Sequence, residues 1–134
     1  MAGSKSNGLE NALLDHVLGG GDYARPATVY VALYTTAPSD SGGGVEVSGG
    51  SYARKSVTNN STNWPAASGG AKSNGTAITF VTATASWGEV TAWGLFDDPS
   101  AGNLLYWGDL AVFKTVGSGD TATFAVGDID ITED

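Results

Sequence analysis

A segment rich in aromatic residues, from position 77 to position 110, constrains the fold of this chain more than any other. It holds three of the four tryptophans, and its strand-like runs, residues 90–96 and 104–107, flank a loop that contains Pro99 and Gly102. Because Pro and Gly favour a chain reversal, the sequence predicts a β-hairpin with a long loop. Aromatic side chains bury the most area per residue, so we expect them to form the centre of the core. The expected core residues are Trp87, Trp93, Phe96, Tyr106 and Trp107.

One segment near the N-terminus, residues 9–18, has the periodicity of an amphipathic helix. Its apolar face consists of Leu9, Leu13, Leu14, Val17 and Leu18. Ser6 or Asn7 can cap the start, and three consecutive glycines follow the end. A helix of about ten residues does not persist alone in water, so we expect its apolar face to dock on the sheet or on a neighbouring subunit. His16, at the edge of that face, is expected to be solvated.

The rest of the chain alternates short strand-like runs with loops rich in Gly and Ser. Residues 28–35 carry no charge on either face, which predicts a strand covered on both sides, as in a central strand or a subunit contact. Residues 111–116 and 121–126 flank Gly-Ser-Gly-Asp and predict a second hairpin. In total, seven to eight short strands and one N-terminal helix predict a mainly β fold, an antiparallel β-sandwich or a small barrel. We expect residues 1–8 to form a flexible arm and residues 9–134 a single β-rich domain.

Composition argues against several classes of function. With 14 acidic and 6 basic residues the formal net charge is -8, which disfavours binding to nucleic acid and to anionic membrane surfaces. No run approaches the roughly 18 apolar residues of a membrane helix, and the N-terminus lacks the pattern of a signal peptide. Without cysteine, there is no disulfide framework, thiolate metal site or cysteine nucleophile. We therefore expect a protein that is made and used without export.

Motifs for catalysis are nearly absent. The sequence has no phosphate-binding glycine motif, no HExxH and no GxSxG, and His16 is its one histidine. Two carboxylate groups, Asp97 with Asp98 and the later set Asp128, Asp130, Glu133 and Asp134, could bind calcium or exchange protons. They lack the spacing of a calcium loop, so we interpret them as solvated charge. The residues alone predict a structural or binding domain without enzymatic activity, cofactor or metal.

Short motifs occur in one order along nearly the whole chain, from about residue 10 to 131. They are ENALLD at 10–15, VYVALYTTAP at 29–38, YARK at 52–55, WPAA at 64–67, SWG at 86–88, WGLF at 93–96, GNLLYWG at 102–108 and FAVGD at 124–128. In these motifs the chain resembles a family of small virion proteins of tailed bacteriophages, labelled as tail-fibre-like or head-decoration proteins. The resemblance brings no catalytic or cofactor-binding residues.

The resemblance implies a structural protein of the phage particle, made in the host cytoplasm. Our leading hypothesis is a capsid cement or decoration protein, a homotrimer that binds the major capsid protein at capsomer junctions. The expected interface residues are Leu9, Leu13, Val17, Tyr30, Tyr34, Arg54 and Lys55. Lys5 and Arg25 are further cations that could meet an acidic shell. Two alternatives stay open: a tail-fibre or baseplate component, and a carbohydrate-binding module that uses exposed aromatics such as Trp64.

Overall fold

One helix and ten strands occur in residues 3–133, the part of the chain that this computed structural model describes. In chain order they are β1 (Ser4–Lys5), α1 (Asn7–Val17), β2 (Thr28–Thr36), β3 (Val45–Glu46), β4 (Lys55–Thr58), β5 (Ala71–Ser73), β6 (Ile78–Thr79), β7 (Gly88–Phe96), β8 (Leu104–Val116), β9 (Thr123–Phe124) and β10 (Asp130–Thr132). The strands exceed the expected seven to eight because several pairings involve only two or three residues, too short to produce a periodic signal.

A six-stranded sheet in the order β1-β8-β7-β2-β3 organises the molecule, and β4 pairs with β2 beside β3. All its strand pairs are antiparallel. Strands β7 and β8 form the expected hairpin around Pro99 and Gly102, and Gly102 has a φ of +77°, a conformation that favours glycine. Two further antiparallel pairs, β5 with β10 and β6 with β9, lie outside this sheet.

The main core lies between the six-stranded sheet and the two small sheets. From the large sheet it includes Val31, Leu33 and Leu95, and from the small sheets Ile78 and Phe124. This arrangement confirms the predicted mainly β, antiparallel sandwich with one helix. Within residues 3–133 the sheets do not close, so the barrel alternative does not apply.

Strand β2 is buried on both faces. Val31 and Leu33 face the main core, whereas Ala32 and Tyr34 pack on the opposite side with Phe96 in a second apolar cluster. The absence of charge on this strand was predicted to reflect either a central position in the sheet or a subunit contact, and the structure supports the central position. The apolar faces of β2 are satisfied inside the subunit and need no second copy to cover them.

The indole ring of Trp93 lies against two glycines. A Cβ atom built on Gly3 would lie 2.5 Å from the ring, and one built on Gly108 would lie 2.7 Å from it. Side chains at these positions would therefore clash with the ring. Gly108 lies directly opposite Trp93 on β8, so the absence of a side chain there leaves room for the tryptophan.

Two local expectations are corrected. Residues 3–8 do not form a separate arm, because Ser4–Lys5 pairs with β8 and the buried Ser6 caps α1 by accepting a hydrogen bond from the Leu9 amide, 3.2 Å away. The helix therefore starts at Asn7, two residues earlier than expected. Met1 and Ala2, the remainder of the expected arm, lie outside the described residues.

The expected second hairpin is the other correction. The turn forms, with the Asp120 carboxylate accepting a hydrogen bond from the Gly117 amide at 2.8 Å. Its two arms do not pair with each other, however: β8 continues along β7, and β9 pairs with β6. Phe124 is thereby buried in the main core, which favours the crossing to the other layer. No helix among residues 3–133 is long and apolar enough to cross a membrane.

Candidate functional site

Asp97 and Asp98, the first pair of acidic residues that could have formed a metal or catalytic site, stabilise the loop in which they lie. The Asp98 carboxylate accepts hydrogen bonds from the amides of Ala101 at 2.8 Å and Ser100 at 3.0 Å, and these bonds lower its pKa. Asp97 accepts two from Asn103 in the same loop. Such bonds satisfy the charge locally. Among the described residues, no group of three or more metal-binding side chains comes together.

The later acidic residues also have separate partners and do not form one site. Asp128 accepts a hydrogen bond from the Ala125 amide at 2.8 Å, whereas Glu133 forms an ion pair with Lys5. Asp134 lies outside the described residues. His16 is half-exposed, and its Nδ1 accepts a hydrogen bond from the Tyr23 amide at 3.1 Å, which ties the end of α1 to the following loop.

Arg54 is the centre of a charged cluster that the sequence did not predict. Its guanidinium donates two hydrogen bonds of 2.9 Å to the Glu46 carboxylate, and a third and fourth to the carbonyls of Asp98 and Ala101. It also lies 3.7 Å from the centre of the Phe96 ring, within the range of a cation–π interaction. The Arg54 side chain is only 6% exposed. Arg54 therefore joins β3, the start of β4 and the β7–β8 loop, and it is not available to an acidic shell.

Two tyrosines extend this cluster into the sheet. The Tyr52 hydroxyl donates to Glu46 at 2.7 Å and accepts from the Leu33 amide at 3.0 Å. Burial and the hydrogen bond to Glu46 raise the pKa of Tyr52 well above its usual range. Burial and the nearby Glu46 charge raise the pKa of Tyr34 to about 12, although Arg54 opposes this shift. Both phenols therefore hold their protons in the folded chain.

Asn74 is a second internal contact that sequence reasoning missed. Its side-chain amide donates to the carbonyls of Thr76 and Ala125 at 2.9 and 3.0 Å, and its carbonyl oxygen accepts from the Ile129 amide at 2.9 Å. The residue is almost fully buried with every one of these groups paired. An Asn before Gly in a polar stretch normally signals only a turn, so no local pattern marks this role.

The expected interface residues divide into buried and exposed sets. Leu9 and Tyr34 are buried within the subunit, and the Arg54 side chain is buried in its own cluster. These three side chains, contrary to the prediction, are therefore not exposed for contact with a partner. Leu13 and Tyr30 are half-buried. Of the original seven, Val17 and Lys55 are exposed and remain available to a partner.

The expected core residues also differ among themselves. Trp87, Trp93 and Phe96 are buried, while Tyr106 is half-buried against the main core. Trp107 is half-buried on the opposite face, where its indole N–H donates to the Asp40 carboxylate at 2.8 Å. Trp64, the suggested glycan platform, is 7% exposed, so it offers no open ring face.

Exposed apolar side chains gather at two places. The C-terminal half of α1 and the residue after it expose Leu14, Val17 and Leu18 by 60% or more. The second place is the middle of β8, where Val112 and Phe113 are exposed. The helix patch follows from the helical periodicity, whereas the β8 patch does not, because a regular strand would have turned every second residue inward.

Comparison with known proteins gives one assignment. No individually curated protein matches the chain. A family model described as "Podophage GP4 fiber I protein gp80" matches residues 4–132, a span that includes the helix and every strand from β1 to β10. Because this match covers nearly the whole chain, the protein belongs to the podophage GP4 fiber I protein gp80 family.

Proposed function

We propose that this protein is a subunit of a phage fibre. Membership in the family confirms the resemblance to phage virion structural proteins and implies that the protein is present in the phage particle. The observation that carries the finer proposal is the match itself, because it extends over the helix and both layers of the sandwich and so involves the whole fold. From the sequence, this role is the first alternative to capsid cement.

The chemistry of the chain supports a structural role without catalysis. The carboxylates of Asp97, Asp98 and Asp128 accept hydrogen bonds from their own turns. Arg54 connects β3, the start of β4 and the β7–β8 loop. A particle protein needs a stable fold whose reactive groups are satisfied internally. We accordingly propose that the protein is not an enzyme and needs no cofactor.

The capsid cement role is our second candidate, with the major capsid protein as partner. In that role, four cations could meet an acidic shell. Lys5 is paired with Glu133 and Arg54 with Glu46, which leaves Arg25 and Lys55 exposed for such a contact. Internal pairing therefore engages two of these four cations, whereas a fibre subunit requires no basic surface. On this ground we place the fibre first.

The exposed end of α1 is the proposed contact between subunits. Leu14, Val17 and Leu18 form a contiguous apolar patch at the end of a helix that is otherwise anchored through Leu9. Contiguous exposed apolar area commonly marks an interface. A closed ring of subunits would bury it repeatedly, and a homotrimer is the arrangement that the resemblance to decoration proteins implies.

Copy number and location in purified particles test the proposal. A fibre subunit should be present in few copies per particle, because oligomers of low rotational symmetry contain few subunits. It should remain with tails when particles are disrupted. Quantitative mass spectrometry of virions, of separated heads and of separated tails measures both quantities. Hundreds of copies per particle that sediment with tail-free heads would instead support the cement role.

A further inference from the structure

A groove beside α1 differs in charge from the rest of this acidic chain. It has a volume of about 400 Å³, and its lining includes the cations Arg25 and Lys72 but, among the residues that the structure describes, no carboxylate. Two larger depressions elsewhere on the subunit each include three carboxylates. We call this region of positive charge the basic groove. Its apolar lining includes Leu9, Leu13, Pro26, Trp64, Leu105 and Ile131.

The two cations of the basic groove lack an acidic partner within the subunit. In residues 3–133, neither Arg25 nor Lys72 forms an ion pair. Lys72 donates hydrogen bonds to the carbonyls of Trp64 and Pro65 at 3.4 and 2.9 Å, which hold its ammonium group at the groove, and Arg25 is exposed. An apolar centre with charged groups at its rim is the usual composition of a protein interface. A partner for this groove therefore supplies apolar side chains and carboxylates.

The helix patch, which consists of Leu14, Val17 and Leu18, has that composition. Two carboxylates accompany it, because Asp15 follows Leu14 on α1 and Asp22 follows the three glycines after the helix. Both are exposed, and within the described part of the chain neither pairs with a lysine or an arginine. The helix patch and its carboxylates thus match the basic groove in apolar character and in charge.

We propose that the helix patch of one copy of this protein docks in the basic groove of the next copy. The inference rests on the contact between subunits proposed above for the end of α1, and it adds the surface that receives that end. A head-to-tail contact joins two different surfaces and can close into a ring of subunits. Every copy carries both surfaces, so no further protein is needed to complete the contact.

Substitutions on the two surfaces test the contact. Val17→Asp places a carboxylate in the apolar centre, and Arg25→Glu gives the groove a charge of the same sign as the carboxylates beside the helix patch. Each should weaken self-association by on the order of ten-fold or more. Val112→Asp and Lys55→Glu are matched controls at an exposed valine and an exposed cation outside both surfaces, and they should leave association unchanged. Analytical ultracentrifugation measures the dissociation constants.

A mixture of the two defective variants tests which surfaces meet. The Val17→Asp protein keeps an intact groove and the Arg25→Glu protein keeps an intact helix patch, so the groove of the first can receive the patch of the second. Each variant alone should be monomeric at a concentration at which their equimolar mixture forms a one-to-one complex.

Engineered cysteines test the proximity of the two surfaces, since the natural chain has none. Val17→Cys lies in the helix patch and Ala66→Cys in the lining of the basic groove, both at exposed positions. A short bis-maleimide reagent, which adds to two thiols, should link the mixed proteins more efficiently than it links either protein to itself. Linkage of the Val17→Cys protein to itself alone would show that helix patches meet one another.

Three further results would overturn the inference. One is a protein that stays monomeric up to about millimolar concentration, the weakest range of specific association. Another is an Arg25→Glu protein that associates as the unmodified protein does although Val17→Asp does not, which would retain the contact at the end of α1 and exclude the groove. The third is a mixture of these two variants that forms no complex. Copy number and location in virions are measured separately, so the fibre role and this contact can fail independently.

Discussion

At the scale of single residues, Trp93 and Trp107 lie on opposite faces of the sheet, although the sequence predicts the same buried position for both. Trp93 lies opposite Gly108 and Trp107 lies opposite Gly94, so the two rings project from opposite faces of the β7–β8 hairpin. Trp93 enters the main core at 1% exposure, whereas Trp107 remains half-buried and reaches Asp40. The sequence identified both as aromatic strand residues. It could not assign their faces, because the register depends on the bulges between β7 and β8.

The two tryptophans should consequently differ in their effect on stability. Trp93→Ala should lower the free energy of unfolding by about 3–5 kcal/mol, since it leaves a large cavity between Gly3 and Gly108. Trp107→Phe keeps most of the ring but loses the hydrogen bond to Asp40, which costs about 1 kcal/mol. Urea unfolding curves of the two variants measure the difference. Equal losses would show that Trp107 contributes to the core as much as Trp93 does.

At the scale of elements, local signals predicted what lies within an element, but not what it pairs with. The cap, periodicity and glycines located α1 to within two residues, and the Gly-Ser-Gly-Asp turn formed as expected. The partners of β8 and β9 depend instead on which layer buries Phe124 and on the three extra residues of β8 between its pairings with Ala92 and Val90. Both are non-local properties of packing. The same limit applies to Arg54 and Lys55, two adjacent cations that the sequence could not distinguish.

Arg54 and Lys55 provide a matched pair for testing the charged cluster. Arg54→Ala leaves the Glu46 carboxylate and two carbonyls without their donor and uncovers the Phe96 ring, so it should cost about 3 kcal/mol. Lys55→Ala removes an exposed side chain from the next position and should change stability by less than about 0.5 kcal/mol. Thermal melts of the two variants, checked by urea unfolding, compare them. A similar loss in both would mean that the cluster contributes nothing beyond surface charge.

At the scale of the whole molecule, the sequence predicted the class of fold and not the surface. Alternating uncharged strands, Gly-rich loops and one short helix sufficed for an antiparallel sandwich, because these patterns reflect burial in any such fold. The expected interface was less accurate: Leu9, Tyr34 and Arg54 are engaged inside the subunit, and the exposed apolar residues Val112 and Phe113 of β8 were missed. Apolar residues in the core and at an interface have the same composition, and only the folded chain shows which of them remain exposed.

The buried tyrosines predict how the stability of the whole molecule depends on pH. An unfolded tyrosine ionises near pH 10.0, whereas the pKa of folded Tyr34 is raised to about 12 and that of Tyr52 is raised further. Above pH 10 the unfolded chain therefore binds fewer protons than the folded chain, so the free energy of unfolding falls as pH rises. The stabilising effect of these pKa shifts is fully present below pH 10 and is lost as the pH approaches and passes 12.

Urea unfolding at intervals between pH 9 and about pH 12 measures this slope. Tyr34→Phe and Tyr52→Phe each remove one titrating group and should flatten the slope, with both changes together flattening it most. Tyr52→Phe also loses its hydrogen bonds to Glu46 and Leu33, so its stability at pH 7 should fall by roughly 1–3 kcal/mol even as its pH dependence weakens. A double variant as sensitive to alkali as the unmodified protein would contradict the assignment of the shifted phenols to these two positions.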